Sequence, residues 1–288
     1  FDVIIKGKSV LTSTGFSSIH ANSVIIGEKD GNINSEYPKI DNKSSSGDCI
    51  GILSENLKIY DGTITTSKNN SIKSGISDIE DGYEIDITDS VDDKNNNLET
   101  VSLVKPTEAV AKIGEKTYTT LLSAIDDVNN GETIQIIKNI FPVREFTISE
   151  DKNFTLDLNS YTIRAFNDEY LFSNSGTINI NDTSESSTDN NGITTYKGKI
   201  IVGSAGLIEN NGTLNIVTSN ISSITQVKNL ITNNGEMTIE NGNMSAAGNT
   251  TNLIENTGTL TINNIYVNTY RVNTIIKNSG TGTINNGK

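Results

Sequence analysis

Residues 253–262 read Leu253-Ile254-Glu255-Asn256-Thr257-Gly258-Thr259-Leu260-Thr261-Ile262, and the chain repeats this phrase. Similar copies lie at residues 171–180, 207–216, 230–239 and 275–284. The glycines of the five copies are separated by 36, 23, 23 and 22 residues, and the longest step contains a Ser/Asp/Asn-rich stretch, residues 184–192, that we interpret as a loop insertion. A period of 22–23 residues is too short for helical hairpins and is typical of one coil of a β-solenoid. The sequence therefore predicts an all-β protein built as a parallel β-helix.

Each copy alternates apolar and polar residues, which is the pattern of a strand with one face in a core. We expect one interior column made of Ile178, Leu214, Met237 and Leu260. Between the apolar stretches, Asn-x-Gly predicts a corner, because both residue types tolerate a left-handed backbone. The asparagine is present in every copy, as Asn174, Asn210, Asn233, Asn256 and Asn278. Stacked at about 4.8 Å, these amides would form a hydrogen-bonded ladder. A polar binding row is the functional alternative.

Weaker copies of the repeat precede these five. Residues 134–136 and 156–158 lie 44 and 22 residues before residues 178–180, which predicts that they occupy the same inward positions. Nearer the N-terminus, residues 19–26 match residues 52–59 at the apolar positions with a separation of 33. The solenoid pattern therefore extends over most of the chain.

After Pro106 the period of the apolar residues becomes helical. Residues 119–129 are predicted to form one short amphipathic helix. Its apolar face is expected to consist of Leu121, Leu122, Ile125 and Val128. Thr119 is the predicted N-cap, and Gly131 lies past the end, where a left-handed residue closes helices. We interpret this helix as a cap over the open end of the core, since terminal repeats need a polar-faced cap. A partner-binding helix is the alternative.

The composition excludes several classes of protein. With 22 basic and 35 acidic residues the net charge is −13, which disfavours binding to nucleic acid and to anionic membrane surfaces. The 288 residues include 40 Asn and 41 Ile, and β-branched residues at this level exclude a disordered chain. No apolar run approaches the ~18 residues of a membrane span, so we expect no membrane insertion.

Few residues suggest catalysis. Cys49 is the single cysteine and His20 the single histidine, and nothing in the sequence brings them together. Cys49 is interpreted as a small buried apolar residue and His20 as a solvated residue beside a strand. Asp157 lies between two inward leucines and is expected to face solvent, with Asn179 and Asn215 at the equivalent positions. We therefore predict no catalytic, cofactor-binding or metal-binding residue.

Two acidic segments raise the question of metal binding. Residues 30–41 place oxygen ligands at positions 1, 3, 5 and 12 of a calcium loop. However, position 6 is Ser35, position 12 is Asp41, and no helices flank the segment. A polar insertion is the preferred interpretation, and calcium binding stays open. Another acidic segment lacks any ligand pattern and is interpreted as a solvated junction; it contains Asp86, Asp89, Asp92 and Asp93.

Residues 109–125, followed by residues 131–136, resemble the opening of a repeated module in surface proteins of Gram-positive bacteria. Residues 152–163 are similar to the next strand pair of that module. Residues 56–64 and 75–85 resemble the C-terminal end of a preceding copy of the module. The resemblance implies a right-handed parallel β-helix of the pectin-lyase-like type, as found in large secreted or wall-anchored, adhesin-like proteins.

This resemblance implies that residues 1–105 are the C-terminal part of a first β-helix module and residues 106–288 a second module opened by the capping helix. It also implies a non-catalytic extracellular module, structural or adhesive, that spaces or presents a binding surface. Neutral glycans or host and cell-surface proteins are the expected partners, with no cofactor. The alternative is a carbohydrate-active enzyme, either a lyase or a glycoside hydrolase, because one fold hosts many functions. Arginine occurs only at 144, 164 and 271, which favours the non-catalytic module.

Overall fold

The computed structural model confirms a nearly all-β chain. Strands account for 57% of the residues and helix for 3%, and the chain forms about 11 solenoid turns. The structure describes residues 2–14, 17–29, 33, 37–42, 50–67, 72, 75–166, 170–189, 193–203, 205–269 and 272–288. The chain divides into two compact units. Unit 1 is Phe1–Pro106 with Phe141–Val143 and Phe166–Asp168, and unit 2 is Thr107–Ile140, Arg144–Ala165 and Glu169–Lys288.

Unit 1 contains nine strands among its described residues. They are β1 (Asp2–Ile5), β2 (Val10–Ser13), β3 (Ser17–Ile26), β4 (Lys39–Asn42), β5 (Ile50–Ile59), β6 (Thr63–Ser67), β7 (Ile76–Ile79), β8 (Glu84–Val91) and β9 (Asn97–Val104). One sheet has the order β1-β3-β5-β7 with parallel pairing, and the other has the order β2-β4-β6-β9-β8. In the second sheet β9 pairs antiparallel with both β6 and β8.

The predicted alignment within unit 1 is confirmed. Ile19 pairs with Ile52, Val24 with Leu57, and Ile26 with Ile59. All these side chains are buried, so the 33-residue separation brings equivalent apolar residues together in one core.

Unit 2 contains the helix and the regular repeats. Its first elements are β10 (Ala111–Ile113), β11 (Lys116–Tyr118), α1 (Leu121–Asp127), β12 (Thr133–Ile136), β13 (Phe146–Ile148), β14 (Asn153–Asp157), β15 (Thr162–Arg164), β16 (Phe172–Asn174), β17 (Thr177–Asn181), β18 (Ser187–Thr188) and β19 (Thr194–Thr195). They are followed by β20 (Lys199–Val202), β21 (Ile208–Asn210), β22 (Thr213–Ser223), β23 (Asn229–Asn233), β24 (Glu236–Ser245), β25 (Asn252–Asn256), β26 (Thr259–Ile262), β27 (Ile265–Val267), β28 (Thr274–Asn278) and β29 (Thr281–Ile284).

Unit 2 has three parallel strand stacks. The first follows β12-β14-β17-β22-β24-β26-β29, and the second follows β13-β16-β21-β23-β25-β28. The third is shorter: β15 pairs with β20, β20 with the C-terminal part of β22, and β27 with the C-terminal part of β24. The long strands β22 and β24 therefore take part in two stacks each, and their residues 213–216 and 236–239 belong to the first.

The predicted interior column is confirmed. Ile178 pairs with Leu214, Leu214 with Met237, and Met237 with Leu260. At most 2% of each of these residues is exposed. The register of the preceding strand differs from the prediction, because Phe154, not Leu156, pairs with Ile178. A shift of two residues keeps the same side chains on the inner face, so the alternation of apolar residues does not reveal it.

The asparagine ladder is also confirmed, and it lies in the interior. Asn174, Asn210, Asn233 and Asn256 are fully buried. Each of these side chains donates from Nδ2 to Oδ1 of the next asparagine at 2.6–2.7 Å. The same nitrogen lies 2.9–3.1 Å from a carbonyl oxygen in the next coil and 3.1–3.3 Å from the carbonyl oxygen of its own glycine. One amide therefore fastens two coils together, and the column is a structural ladder.

The repeat glycines are required for a reason other than the predicted one. None of them has a positive φ, so the expected left-handed corner is wrong. A Cβ on Gly212, Gly235, Gly258 or Gly280 would instead lie 2.1 Å from the carbonyl oxygen of the glycine one coil earlier. The same oxygen accepts a backbone hydrogen bond from the next coil, from the residue that follows that coil's glycine. For example, Glu236 N donates to Gly212 O at 2.9 Å. Glycine is needed because the backbones of successive coils approach closely here.

The capping helix is shorter than predicted, since it spans Leu121–Asp127 rather than residues 119–129, and its N-cap lies one residue later. Thr120, not Thr119, is the N-cap, since its side chain accepts from Ser123 N at 3.1 Å. Leu122 is 51% exposed, which corrects the predicted apolar face, and Ala124 is buried in its place. Gly131 has φ +85°, as expected for a left-handed residue after a helix. The buried side of α1 joins the core of unit 2. The β10–β11 hairpin pairs antiparallel with β12, which is the first strand of the parallel stack.

We expect Asn233→Ala to lower the free energy of unfolding by about 2–3 kcal/mol, because buried carbonyl and amide groups of two coils lose their partner. Asn234→Ala is the matched control. Asn234 is the neighbouring residue, is exposed and makes only surface hydrogen bonds, so a change below about 0.5 kcal/mol is expected. Chemical denaturation followed by circular dichroism measures both. Equal losses for the two variants would contradict the ladder's contribution.

A second prediction concerns the close approach of coils. Gly235→Ala should destabilise the chain by about 3 kcal/mol, because its Cβ would overlap a backbone oxygen that cannot move alone. Gly242→Ala in β24 is the control, since its Cβ would meet a side-chain methyl, Cγ2 of Ile239, at 3.1 Å rather than a backbone atom at 2.1 Å, and it should cost less than about 1 kcal/mol. Thermal melts of both variants test this order, and the reverse order would refute the steric explanation.

Candidate functional site

The structure describes only some of the residues that sequence suggested for chemistry. Cys49 and Arg271 lie outside the described residues, as do residues 30–32 and 34–36 of the segment interpreted as a polar insertion, with calcium binding as the open alternative. His20 is exposed and lies within β3, paired with Leu53, and so it is solvated as expected, although it lies in the strand rather than beside it. Among the described residues no group of three or more His, Cys, Asp or Glu could hold a metal ion.

The acidic segment of unit 1 is not a junction. Asp86 and Asp89 lie on β8, which forms an antiparallel hairpin with β9. Asp92 lies in the turn, where its Oδ1 accepts from Lys94 N at 2.9 Å and Asn96 N at 2.8 Å. The hydrogen bonds from Asn96 lower the pKa of Asp92 and outweigh the effect of burial. This carboxylate stabilises the turn between two strands.

Asp157 is the main correction to the predicted surface. It pairs with Asn181 rather than with Asn179 and is only 2% exposed, so it does not face solvent. Its Oδ1 accepts from Asn159 N at 3.1 Å and Thr183 N at 2.9 Å. Its Oδ2 accepts from Thr183 Oγ1 at 2.7 Å and Gln135 Nε2 at 3.1 Å. The chain turns at Asn159, which has a positive φ. The carboxylate of Asp157 therefore stabilises this turn by accepting hydrogen bonds from the backbone around it.

A second buried carboxylate, Asp182, fastens the insertion that lengthens the repeat. Its Oδ1 accepts from Ser160 N at 3.0 Å and Ser184 N at 3.1 Å, and its Oδ2 accepts from Gly198 N at 2.5 Å. Burial raises the pKa of Asp182, but these hydrogen bonds together lower it further than burial raises it. In the structure Ser184 and Gly198 bound the insertion, which is therefore longer than the predicted residues 184–192, and because Asp182 bonds to both of them, one carboxylate closes it.

Beyond Asp182 the insertion folds against the outer face of the stack. Its short strands β18 and β19 pair antiparallel. Asn220 Nδ2 donates to the carbonyl oxygen of Tyr196, and Asn243 Nδ2 donates to that of Thr194 at 2.7 Å. Asn243 Nδ2 also donates to Asn220 Oδ1 at 2.8 Å. A second, outer amide column therefore holds residues 193–196 against β22 and β24. We call these residues the arm of the insertion.

A small cleft of about 90 Å³ lies between this arm and the strands below it. We call it the Asn–Tyr cleft. Its principal lining residues are Thr194, Tyr196, Asn241, Asn243, Asn264 and Tyr266. Its described lining includes no Asp or Glu, although the chain carries 35 acidic residues. A polar surface of this kind, whose only charged side chain among the described lining residues is that of Lys288, suits hydrogen bonding rather than acid–base chemistry.

Hydrogen-bonding groups of the cleft are fixed in place yet incompletely paired. Asn264 Nδ2 donates to Asn241 Oδ1 at 3.1 Å, which orients both amides. Within the described part of the chain, no donor reaches Asn264 Oδ1 or Asn243 Oδ1, and the hydroxyls of Tyr196 and Tyr266 make no hydrogen bond. Burial, and secondly the charge of Asp182, raise the pKa of Tyr196, so its hydroxyl remains a donor. The cleft therefore offers both donors and acceptors.

Sequence reasoning did not identify this cleft. The available signal was the insertion of residues 184–192, which interrupts an otherwise regular repeat, together with asparagines at the outward positions of the coils that follow. What the sequence did not give is where the arm of the insertion lies. Tyr196 and Tyr266 are 70 residues apart, and the stacking of coils brings them to one place.

Comparisons with known proteins add no relatives. No family model matches the chain, and no curated protein and no solved structure matches it. In the portion that the structure describes, no helix is long and apolar enough to cross a membrane.

The pH dependence of stability should report on Asp182. Its pKa is lower in the folded chain than in the unfolded chain, so ionised Asp182 favours folding above about pH 4 and this contribution is lost as pH falls. We expect the stability difference between wild type and Asp182→Asn to be largest at neutral pH and to shrink towards pH 2.5. Denaturation curves across this range test it. A difference that stays constant with pH would show that the charge does not matter.

Proposed function

We propose that the chain is a non-catalytic extracellular module of a bacterial surface protein, structural or adhesive, that spaces or presents a binding surface. The observation that carries the proposal is the regular stack of unit 2, in which side-chain amides satisfy one another from coil to coil. Each added coil lengthens such a stack by about 4.8 Å without requiring a new core. A surface protein can therefore be lengthened by adding coils to the stack.

In unit 2, the state of the three carboxylates Asp157, Asp182 and Glu255 supports a non-catalytic function. Asp157 and Asp182 are enclosed and accept hydrogen bonds from the protein itself, so neither is available to a substrate. Glu255 is paired with Lys277 at 2.6 Å and with Asn229, and these two hydrogen bonds lower its pKa. A glycosidase acid needs the opposite shift, a raised pKa beside a second, ionised carboxylate.

The extracellular setting is supported by the resemblance of residues 109–125 to modules of Gram-positive surface proteins. The outward positions of the stack carry Asn and Thr, which are well hydrated and suited to contacts with neutral partners. Partners of this module are expected to be neutral glycans or host and cell-surface proteins, since a net charge of −13 disfavours anionic polymers.

Turnover is the measurement that tests this proposal. The purified chain is incubated with pectin, polygalacturonate, xylan and cellulose, with and without calcium, and reducing and unsaturated ends are quantified. We expect no release above a heat-denatured control. Reproducible release that is abolished by Glu255→Gln or Asp182→Asn, in variants that keep the wild-type circular dichroism spectrum, would replace the proposal with an enzyme.

A further inference from the structure

We propose that the Asn–Tyr cleft binds a segment of an uncharged polysaccharide. This inference rests on the proposed function, because it gives the binding surface a location and a ligand class. It is argued from the chemistry of the cleft and from the way in which its residues are held.

The lining matches the hydrogen-bonding pattern of sugars. Each sugar hydroxyl both donates and accepts, and an amide side chain offers one of each in a plane. In the cleft, Asn264 is exposed and is oriented by Asn241, and Asn243 is fastened to both Asn220 and Thr194. These amides do not have to be ordered by the ligand, so little conformational entropy is lost on binding.

An aromatic ring stands at the place where the outer amide column ends. Asn220 pairs with Asn243 in register, and Asn243 pairs with Tyr266. Tyr266 is therefore the next member of a column that contains asparagine in the two coils before it. It is partly exposed, and Tyr196 lines the same cleft from the insertion. A tyrosine offers an apolar ring for the carbon face of a sugar and a hydroxyl for its edge.

Charge decides between sugar classes. The side chains of the described lining include no carboxylate to attract a cationic ligand, and Lys288 is the one basic residue among them, in a chain of net charge −13. An anionic chain such as polygalacturonate would approach against that net charge. An uncharged polysaccharide needs no carboxylate in the lining and is not repelled by the negative net charge.

The size of the cleft sets the expected affinity. About 90 Å³ is well below the ~300–1,000 Å³ of pockets that enclose a small ligand. One sugar unit would therefore insert an edge while the polymer continues in solvent on either side. We expect a Kd of about 1 mM for a single chain, with stronger attachment only through many copies.

The test is a titration of the 15N-labelled chain with neutral hexasaccharides of glucose, xylose, mannose and N-acetylglucosamine, with hexagalacturonate as the anionic comparison. We expect at least one neutral hexasaccharide to shift the amide signals of residues 241–243 and 264–266. Tyr266→Ala and Asn264→Ala should each weaken that binding about tenfold. Tyr266→Phe, which keeps the ring, should weaken it less. Asn263→Ala is the matched control, because Asn263 neighbours the cleft and hydrogen-bonds to Glu240 and Asn285 outside it.

Each outcome decides one claim. The cleft assignment is overturned if no neutral hexasaccharide binds, if only hexagalacturonate binds, or if binding survives both Tyr266→Ala and Asn264→Ala in folded protein. Binding at the cleft accompanied by cleavage of the hexasaccharide would instead overturn the non-catalytic function and leave the cleft in place. Circular dichroism spectra of all variants show whether they fold. If the alanine variants do not fold, the binding of Tyr266→Phe is compared with that of wild type instead.

Discussion

Stacking of parallel coils at the spacing of β-strands is the constraint on which unit 2 depends. A polar side chain that is fully buried in the stack, such as Asn233, needs hydrogen-bond partners from the protein, and neighbouring coils are the nearest source of them. Asn233 meets this demand with one amide, which accepts from Asn210, donates to Asn256 and also reaches backbone oxygens of its own coil and of the next one. The ladder satisfies buried groups and also fixes the register of each coil against the next.

The same constraint explains the glycines and the irregular coils. Where two backbones approach most closely, as at Gly235, there is no room for a Cβ. Where a coil contains more residues than its neighbours, the surplus must leave the stack without exposing its core or stranding its polar groups. Asp157 and Asp182 serve that purpose, since each accepts backbone N–H groups from the turn or insertion beside it. These hydrogen bonds account for their burial.

The proposed binding surface therefore lies where the regularity of unit 2 is interrupted. The regular faces repeat one arrangement coil after coil, whereas the Asn–Tyr cleft exists because one insertion folds back on them. The outer amides of Asn220 and Asn243 hold that insertion by the same kinds of hydrogen bond, amide to amide and amide to carbonyl oxygen, that stabilise the interior ladder. Proposed binding at this point uses groups whose positions the stack has already set.

The sequence by itself determined the solenoid, the interior column through Leu214 and the ladder through Asn233, because a repeat places equivalent residues at equivalent positions in every coil. Only the tertiary structure decided the register of Phe154, since strand alternation is unchanged by a shift of two residues. It also decided that Asp157 is buried and that Tyr196 lies near Tyr266. Both depend on where the non-repeating segments pack, and the repeat carries no information about that.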